Sequence, residues 1–414
     1  MLRTRLSALV FSLFTCCFLF SQDDSSSDDL KIFLDCNVCD NTYMRQNLGN
    51  VQFVRDQDLS DVHLFFTTQR NGSGGRSYEV DYIGKGEFSE INFRMSFNSD
   101  VNMTDDDERK LILEQLKLGL VRFWIAKGRT DVVTVSVPSP ENEEEQAEEE
   151  DPWNYWLFRL GARGFFDGQE TVSSSNINFN FSARRVTEKN KFFFRIGYGE
   201  NKRVFTFDGE DIENINNNKN LNISDVLSIN DHWSYGFFGN IGTSTFSNRD
   251  LFWGFKPAIE YDFFKYNESA KKILTLSYRN GIVFNDYIER TVFNETEEYL
   301  WEHNVVLGGS INQEWGNLNA EARFDQFLHD TELYSVGFSL GANIRIFKGF
   351  NFDIFGRYNI TRNQIAISGG GVSLEELLLQ QQQLQSGYNY FVSMGFSYSF
   401  GSIYNTVVNP RFNR

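Results

Sequence analysis

The sequence predicts a mainly β protein: a transmembrane antiparallel β-barrel of about twelve strands, preceded by a small α+β domain. Three observations predict it. The last strand-like stretch, Tyr388 to Gly401, alternates: Val392, Met394, Phe396, Tyr398 and Phe400 fall on one side, Ser393, Gly395, Ser397 and Ser399 on the other. The same pattern recurs from Trp153 onward, each time long enough to cross a bilayer as a tilted strand. Composition agrees: aromatics make up 16% of the chain, with 42 Phe and 17 Tyr, yet mean hydropathy is −0.40. An oily outer band balanced by a polar lumen and polar loops gives that pairing.

The chain has 414 residues, room for two domains. Its net charge of −17 argues against nucleic acid, which needs clustered cations; lipid of the outer membrane and a periplasmic protein are the partners expected. Residues 1–21 read as a secretory signal: Arg3 and Arg5, an apolar run from Leu6 to Phe20, then Ser21 before Gln22-Asp23-Asp24. The run is short for an anchor, and Leu13-Phe14-Thr15-Cys16 lacks the small residue a lipoprotein signal needs. Cys36 and Cys39 then remain, spaced Cys-x-x-Cys in an oxidising compartment. A local disulfide is the plain reading. A redox pair or half a zinc site are the sharper ones, but His63, His232, His303 and His329 are scattered with no paired spacing. No metal or cofactor is expected.

Residues 22–137 read as the α+β domain. Asp40 to Leu48 suits a short helix, followed by strands at Val51–Val54, Val62–Thr67, Tyr78–Ile83 and Ile91–Phe97. Asn71-Gly-Ser-Gly-Gly75 is a hairpin connection rather than a P-loop, since no Lys-Ser/Thr pair and no helix follow it. Thr104 caps a long helix, with Asp105, Asp106, Asp107 and Glu108 at its positive end; the cap explains these acids without a metal ion. Gly128 stops the helix, and Asp131 to Val137 is predicted as a last strand. Residues 138–152, bracketed by Pro138 and Pro152 and strongly acidic, read as a solvated linker.

Residues 153–404 carry the strand series, with 405–414 as a tail. Segments centred on Leu160, Phe179, Phe194, Ile223, Ile241, Phe255, Leu276, Leu307, Ala322, Leu340, Ile354 and Met394 make it up; Leu221 to Ile229 is the poorest. A charge on the lipid side costs kilocalories, so charged residues opposite the apolar ones must point inward. That places Arg159, Arg163, Arg184, Arg195, Glu260, Asp262, Arg279, Glu321, Arg323, Asp325, Arg345, Asp353 and Arg357 in the lumen. Such a set makes either a charged, anion-selecting pore or a lumen plugged by Arg–carboxylate pairs. If the linker enters from the periplasm, short turns fall on that side and the long connections Asp208–Asn220, Ile288–Glu298 and Ser368–Gly387 fall outside. Within the last of these, Ser373 to Gln385 reads as a short helix at the barrel rim.

Several stretches resemble envelope proteins of Bacteroidota and related bacteria: Asp35-Cys-Asn-Val-Cys-Asp40, Tyr43-Met-Arg45, Val51-Gln-Phe-Val-Arg-Asp56, Asp61-Val-His-Leu64, Thr67 to Gly75, and Phe400 to Phe412. The resemblance implies a periplasmic domain paired with an outer-membrane barrel and brings no activity or site residues with it. The start of the N-terminal domain is also similar to the small α/β domain of TolB-like periplasmic proteins.

Three functions compete. One is a channel for small polar or anionic solutes with a periplasmic docking domain. Another is a structural or assembly anchor with a plugged barrel. The third is an outer-membrane lipid hydrolase resting on His232-Trp233-Ser234, where a nucleophile needs Ser, His and an orienting group in reach. His232 falls at the periplasmic rim, so no enzyme is expected.

Overall fold

The computed structural model describes residues 29–134, 151–207, 209–347, 349–370 and 386–401. The signal expected at 1–21, most of the linker expected at 138–152, the helix expected at 373–385 and the tail expected at 405–414 lie outside them. Two sheets result, one of five strands and one of twelve.

The five-stranded sheet comprises β1 (Leu30–Asp35), β2 (Val51–Phe53), β3 (Val62–Arg70), β4 (Arg76–Gly84) and β5 (Asn92–Asn98), in the order β2-β1-β3-β4-β5. β1 runs parallel to β2 and β3, and β3, β4 and β5 are antiparallel. Between β1 and β2 lies helix α1 (Asn41–Asn47), capped by the Asp40 carboxylate accepting from the Tyr43 amide. After β5 comes α2 (Asp105–Ala126), opened by a reciprocal Thr104–Asp107 capping box. Asp106 is bound by Arg109 and Lys110, so this acidic run is occupied by its own turn.

Ile32, Leu64, Tyr82, Leu116, Leu120 and Phe123 are fully buried between the sheet and α2. Tyr82 fixes how closely α2 approaches. Its hydroxyl donates to the Gln115 carbonyl at 2.9 Å, and a Cβ at Gly119 would lie 2.0 Å from its ring. A glycine inside a helix costs about 1 kcal/mol in propensity; the space left for the Tyr82 ring accounts for it here.

Two expectations for this domain need correction. Residues 131–134 form no strand. Thr130–Val132 is a 3₁₀ turn, because Gly128 adopts φ +79°, the Arg129 amide bonds back to the Trp124 carbonyl, and the Arg129 side chain holds Asp131. Residues 135–137 lie outside the described residues. The inner strand β1 was not foreseen, because Leu30, Ile32 and Phe33 are buried and it shows no simple alternation.

The larger sheet is an antiparallel meander: β6 (Trp156–Gln169), β7 (Val172–Val186), β8 (Asn190–Phe207), β9 (Glu210–Ser228), β10 (Trp233–Ser244), β11 (Arg249–Asp262), β12 (Lys272–Tyr287), β13 (Glu297–Gln313), β14 (Gly316–Phe327), β15 (Tyr334–Phe347), β16 (Phe350–Thr361) and β17 (Tyr388–Tyr398). The strand count is the one the alternation predicts. The segment read as weakest belongs to the longest strand, β9, with 19 residues. Asp208–Asn220, expected as an external loop, is mostly that strand. Its asparagines are poor strand formers, but the ladders to β8 and β10 and amide–amide bonds such as Asn222 to Asn220 (3.3 Å) hold it extended. Loop length therefore sorts less cleanly than expected: both ends have tight turns between β6 and β9. At the linker end residues 263–271 are as long as 288–296 at the far end and longer than 328–333 there, and only the far-end connection 362–387 stands out in length. Among the described residues β6 pairs only with β7 and β17 only with β16, so both edges of the meander are unladdered.

Residues 22–137 expressed alone are expected to fold cooperatively. Gly119→Ala should destabilise that fragment by about 1–3 kcal/mol through overpacking against Tyr82, read as a lower urea midpoint at unchanged slope. An unshifted midpoint would contradict the packing described here.

Candidate functional site: the polar face and the docked domain

Residues paired across strands lie on the same face of a sheet. The registers therefore run in rows. Arg159–Ser182–Arg195–Asn222–Asn240 is one, and Gly161–Asn180–Gly197–Asn220–Gly242 is the next. Further round, Glu260–Ser277–Val306–Arg323 and Asp262–Thr275–Gly308–Glu321 follow, with Glu321 continuing to Ser339 and Arg357. Alternation along each strand adds Arg163, Arg184, Arg279, Asp325, Arg345 and Asp353 to this same polar face. The opposite face carries Phe158, Leu160, Phe179, Phe181, Phe237, Phe255, Leu276 and Phe338, all exposed.

The polar face holds further charges that the shorter strands read from sequence left out: Asp167, Arg203, Arg249, Glu298 and Glu302. Extending strict alternation past each strand end would have found Asp167, Arg203, Glu298 and Glu302, whereas Arg249 comes to this face only through the register shift between Arg249 and Leu251. Lys256 pairs with Glu302 two strands away at 2.8 Å, and Glu321 with Arg323 at 3.3 Å. Asp325 accepts from Asn304 and Ser335, and the Arg279 guanidinium lies 4.0 Å from the Phe238 ring centre. By contrast, Arg159, Arg163, Arg195 and Arg357 form no ion pair among the described residues.

At the linker end of this face sits the N-terminal sheet. Val62, Leu64 and Phe66 of β3 face α2, while His63, Phe65 and Thr67 alternate to the other side and are buried as well. His63 is fully buried. Its Nε2 lies 3.3 Å from Asp35, and its Nδ1 lies 3.3 Å from the Glu314 carboxylate of the β13–β14 turn, outside hydrogen-bond geometry. Arg345 of β15 reaches Asp35 (3.3 Å), Gln57 (3.4 Å) and the Glu314 carbonyl (3.0 Å), with its guanidinium 4.9 Å from the Phe33 ring centre. Lys271, before β12, pairs with Asp81 at 2.5 Å, and Asp81 also accepts from Arg94. That bond with Asp81 is the main reason the Arg94 pKa is raised. Gln69 donates to Ser269 (3.3 Å), and a Cβ at Gly74 would meet Arg184 of β7 and Leu157 of β6. One small domain thus touches the meander from β6 round to β15, which requires the sheet to be curled.

The far end is narrowed differently. Ile365, beyond β16, packs on Leu300 and Phe327, both on the polar face. The Ile367 carbonyl accepts from Val292, and Asn248 bridges Glu289 and Ala366. Sequence reading missed this inturned segment because its apolar residues are too few to show a period.

Cys36 and Cys39 are joined by a disulfide, with Cα atoms 5.5 Å apart, between β1 and α1. Among the described residues no His/Cys/Asp/Glu group is arranged to hold a metal ion. His232 directs Nδ1 to the Asp262 carbonyl at 2.7 Å and stacks on Tyr261. Ser234 lies in the polar row with Glu260, and no hydrogen bond joins it to His232 among the described residues.

No protein-family model matches the chain, and neither does the sequence of any curated protein. Several solved structures are similar. One is the NanC porin in a rhombohedral crystal form, at 9% identity and TM-score 0.29, covering 58% of this chain and 100% of that one. Another is the translocator domain of the autotransporter NalP from Neisseria meningitidis, at 12% identity and TM-score 0.25, covering 59% of this chain and 87% of that one.

The docking can be tested by cross-linking. Cysteines introduced as Gln69→Cys and Ser269→Cys should be bridged by a short bis-maleimide, seen as a mobility shift. Combining them with Arg345→Ala and Lys271→Ala should slow the bridging several-fold. Removing one partner of a part-buried charge pair leaves the other unsatisfied, at about 1–3 kcal/mol. No cross-link in the parent pair would contradict the docked arrangement.

Proposed function

We propose that the protein is an outer-membrane β-barrel forming a conduit for small polar or anionic solutes, its linker-side mouth occupied in the periplasm by the N-terminal domain. The observation that carries this reading is the two-faced meander. Exposed large side chains cover one face of strand after strand, with Leu160 at 83% and Phe396 at 76% exposure. An apolar surface of that extent is far larger than the few hundred Å² a water-soluble monomer exposes, and lipid accounts for it. The polar face then has to line a lumen, and its unpaired arginines favour anions there.

One observation favours the plugged-anchor alternative. Ile365 over Leu300 and Phe327 narrows the far end while the N-terminal domain covers the near end. We read both as gates on a conduit, because the near contacts include single ion pairs, Arg345 with Asp35 and Lys271 with Asp81, that can separate.

Conductance in planar bilayers distinguishes the two. The full chain should conduct little, and Arg345→Ala combined with Lys271→Ala should raise the open probability, with anions preferred over cations. Heat-dependent mobility in detergent would verify that both proteins are folded. Folded proteins that never conduct would favour the anchor.

A further inference from the structure

Between the N-terminal sheet and the linker-side ends of β13 to β16 lies a cavity of about 220 Å³. Its barrel side is a cross-strand amide row, Asn312–Asn317–Asn343. Thr67 supplies part of the domain side, and Trp315 stands at the rim, partly exposed. The Thr67 hydroxyl is buried, in a residue only 5% exposed, and has no hydrogen-bond partner among the described residues. A buried hydroxyl left unsatisfied costs about 1–3 kcal/mol, so a group that bonds it from the cavity gains that energy.

The lining chemistry selects the ligand. Arg345 and Asp35, the charged groups of the wall, neutralise each other at 3.3 Å, so the cavity attracts neither sign strongly. The polar groups that remain are amides, which both donate and accept, and the Thr67 and Thr68 hydroxyls, beside the Trp315 indole and an apolar patch of Val38, Phe65 and Phe66. Hydroxyl groups on a compact ring satisfy the amides and hydroxyls, with the ring's C–H face against the indole. The volume is below the ~300–1,000 Å³ of drug-sized sites and suits a ligand of monosaccharide size.

We propose that this interdomain cavity is a binding site for a neutral monosaccharide-sized sugar, held by Thr67, Asn317 and Asn343 with Trp315 as its platform. Since the two walls belong to different domains, the bound sugar bridges them. The inference rests on the docked domain and not on solute conduction.

Calorimetric titration of the full chain in detergent tests it, with glucose and N-acetylglucosamine as probes, taken well past the ~1 mM dissociation constant that a few hydrogen bonds and one stacking contact would give. The wild type should bind at least one of them. Thr67→Val removes a hydroxyl that has no partner among the described residues, so folding and docking should be unchanged while affinity falls about tenfold. Asn343→Ala should weaken binding similarly, and heat-dependent mobility and the Gln69–Ser269 cross-link verify that both variants are folded and docked. Binding by neither sugar would overturn the proposal and leave a water-filled cavity. Binding that both folded variants retain at wild-type strength would overturn it too.

Discussion

Everything in the larger sheet depends on one geometric constraint: side chains alternate along a strand, and partners across strands share a face. A slip of one residue in any of its ladders would turn Arg323 or Glu321 out among the aromatics and bring Phe324 in. The bulges at Gly242/Ser244, Arg249/Leu251 and Arg345/Phe347 are confined to strand ends, where they do not propagate that inversion. The polar face, the aromatic face and the place where the N-terminal domain docks all follow from register held through the middle of each strand.

That constraint also explains what was legible in the sequence. Strands with one apolar and one polar face, such as β14 with Leu318, Ala320, Ala322 and Phe324 opposite Asn319, Glu321, Arg323 and Asp325, announce themselves by period two. β9 did so poorly because asparagine occupies its polar face and extends onto the other, so composition argued for loop while pairing on both sides made it a strand. β1 was hidden for the opposite reason, its apolar residues crowding both faces. The capped helix α2 was readable from Thr104, but Gly119 inside it gave no hint of the Tyr82 ring it accommodates.

The docked domain was the least legible part, because its determinants are single residues separated by hundreds of positions. Nothing near Asp35 foretells Arg345, and nothing near His63 foretells Glu314. What the sequence does show is β3 carrying His63, Phe65 and Thr67 opposite its core face, a mixed set too apolar for a surface open to water. The meander covers that second face. The same contact creates the amide-lined cavity.

On this account the meander separates lipid from a polar lumen, face by face. Spin labels placed singly at Leu276, Ser277, Tyr278 and Arg279 of β12 in lipid vesicles test it most directly. Oxygen, which partitions into lipid, should relax labels at Leu276 and Tyr278, while a water-soluble nickel reagent should relax those at Ser277 and Arg279. Equal access of the nickel reagent to all four positions would contradict a membrane-spanning, two-faced sheet.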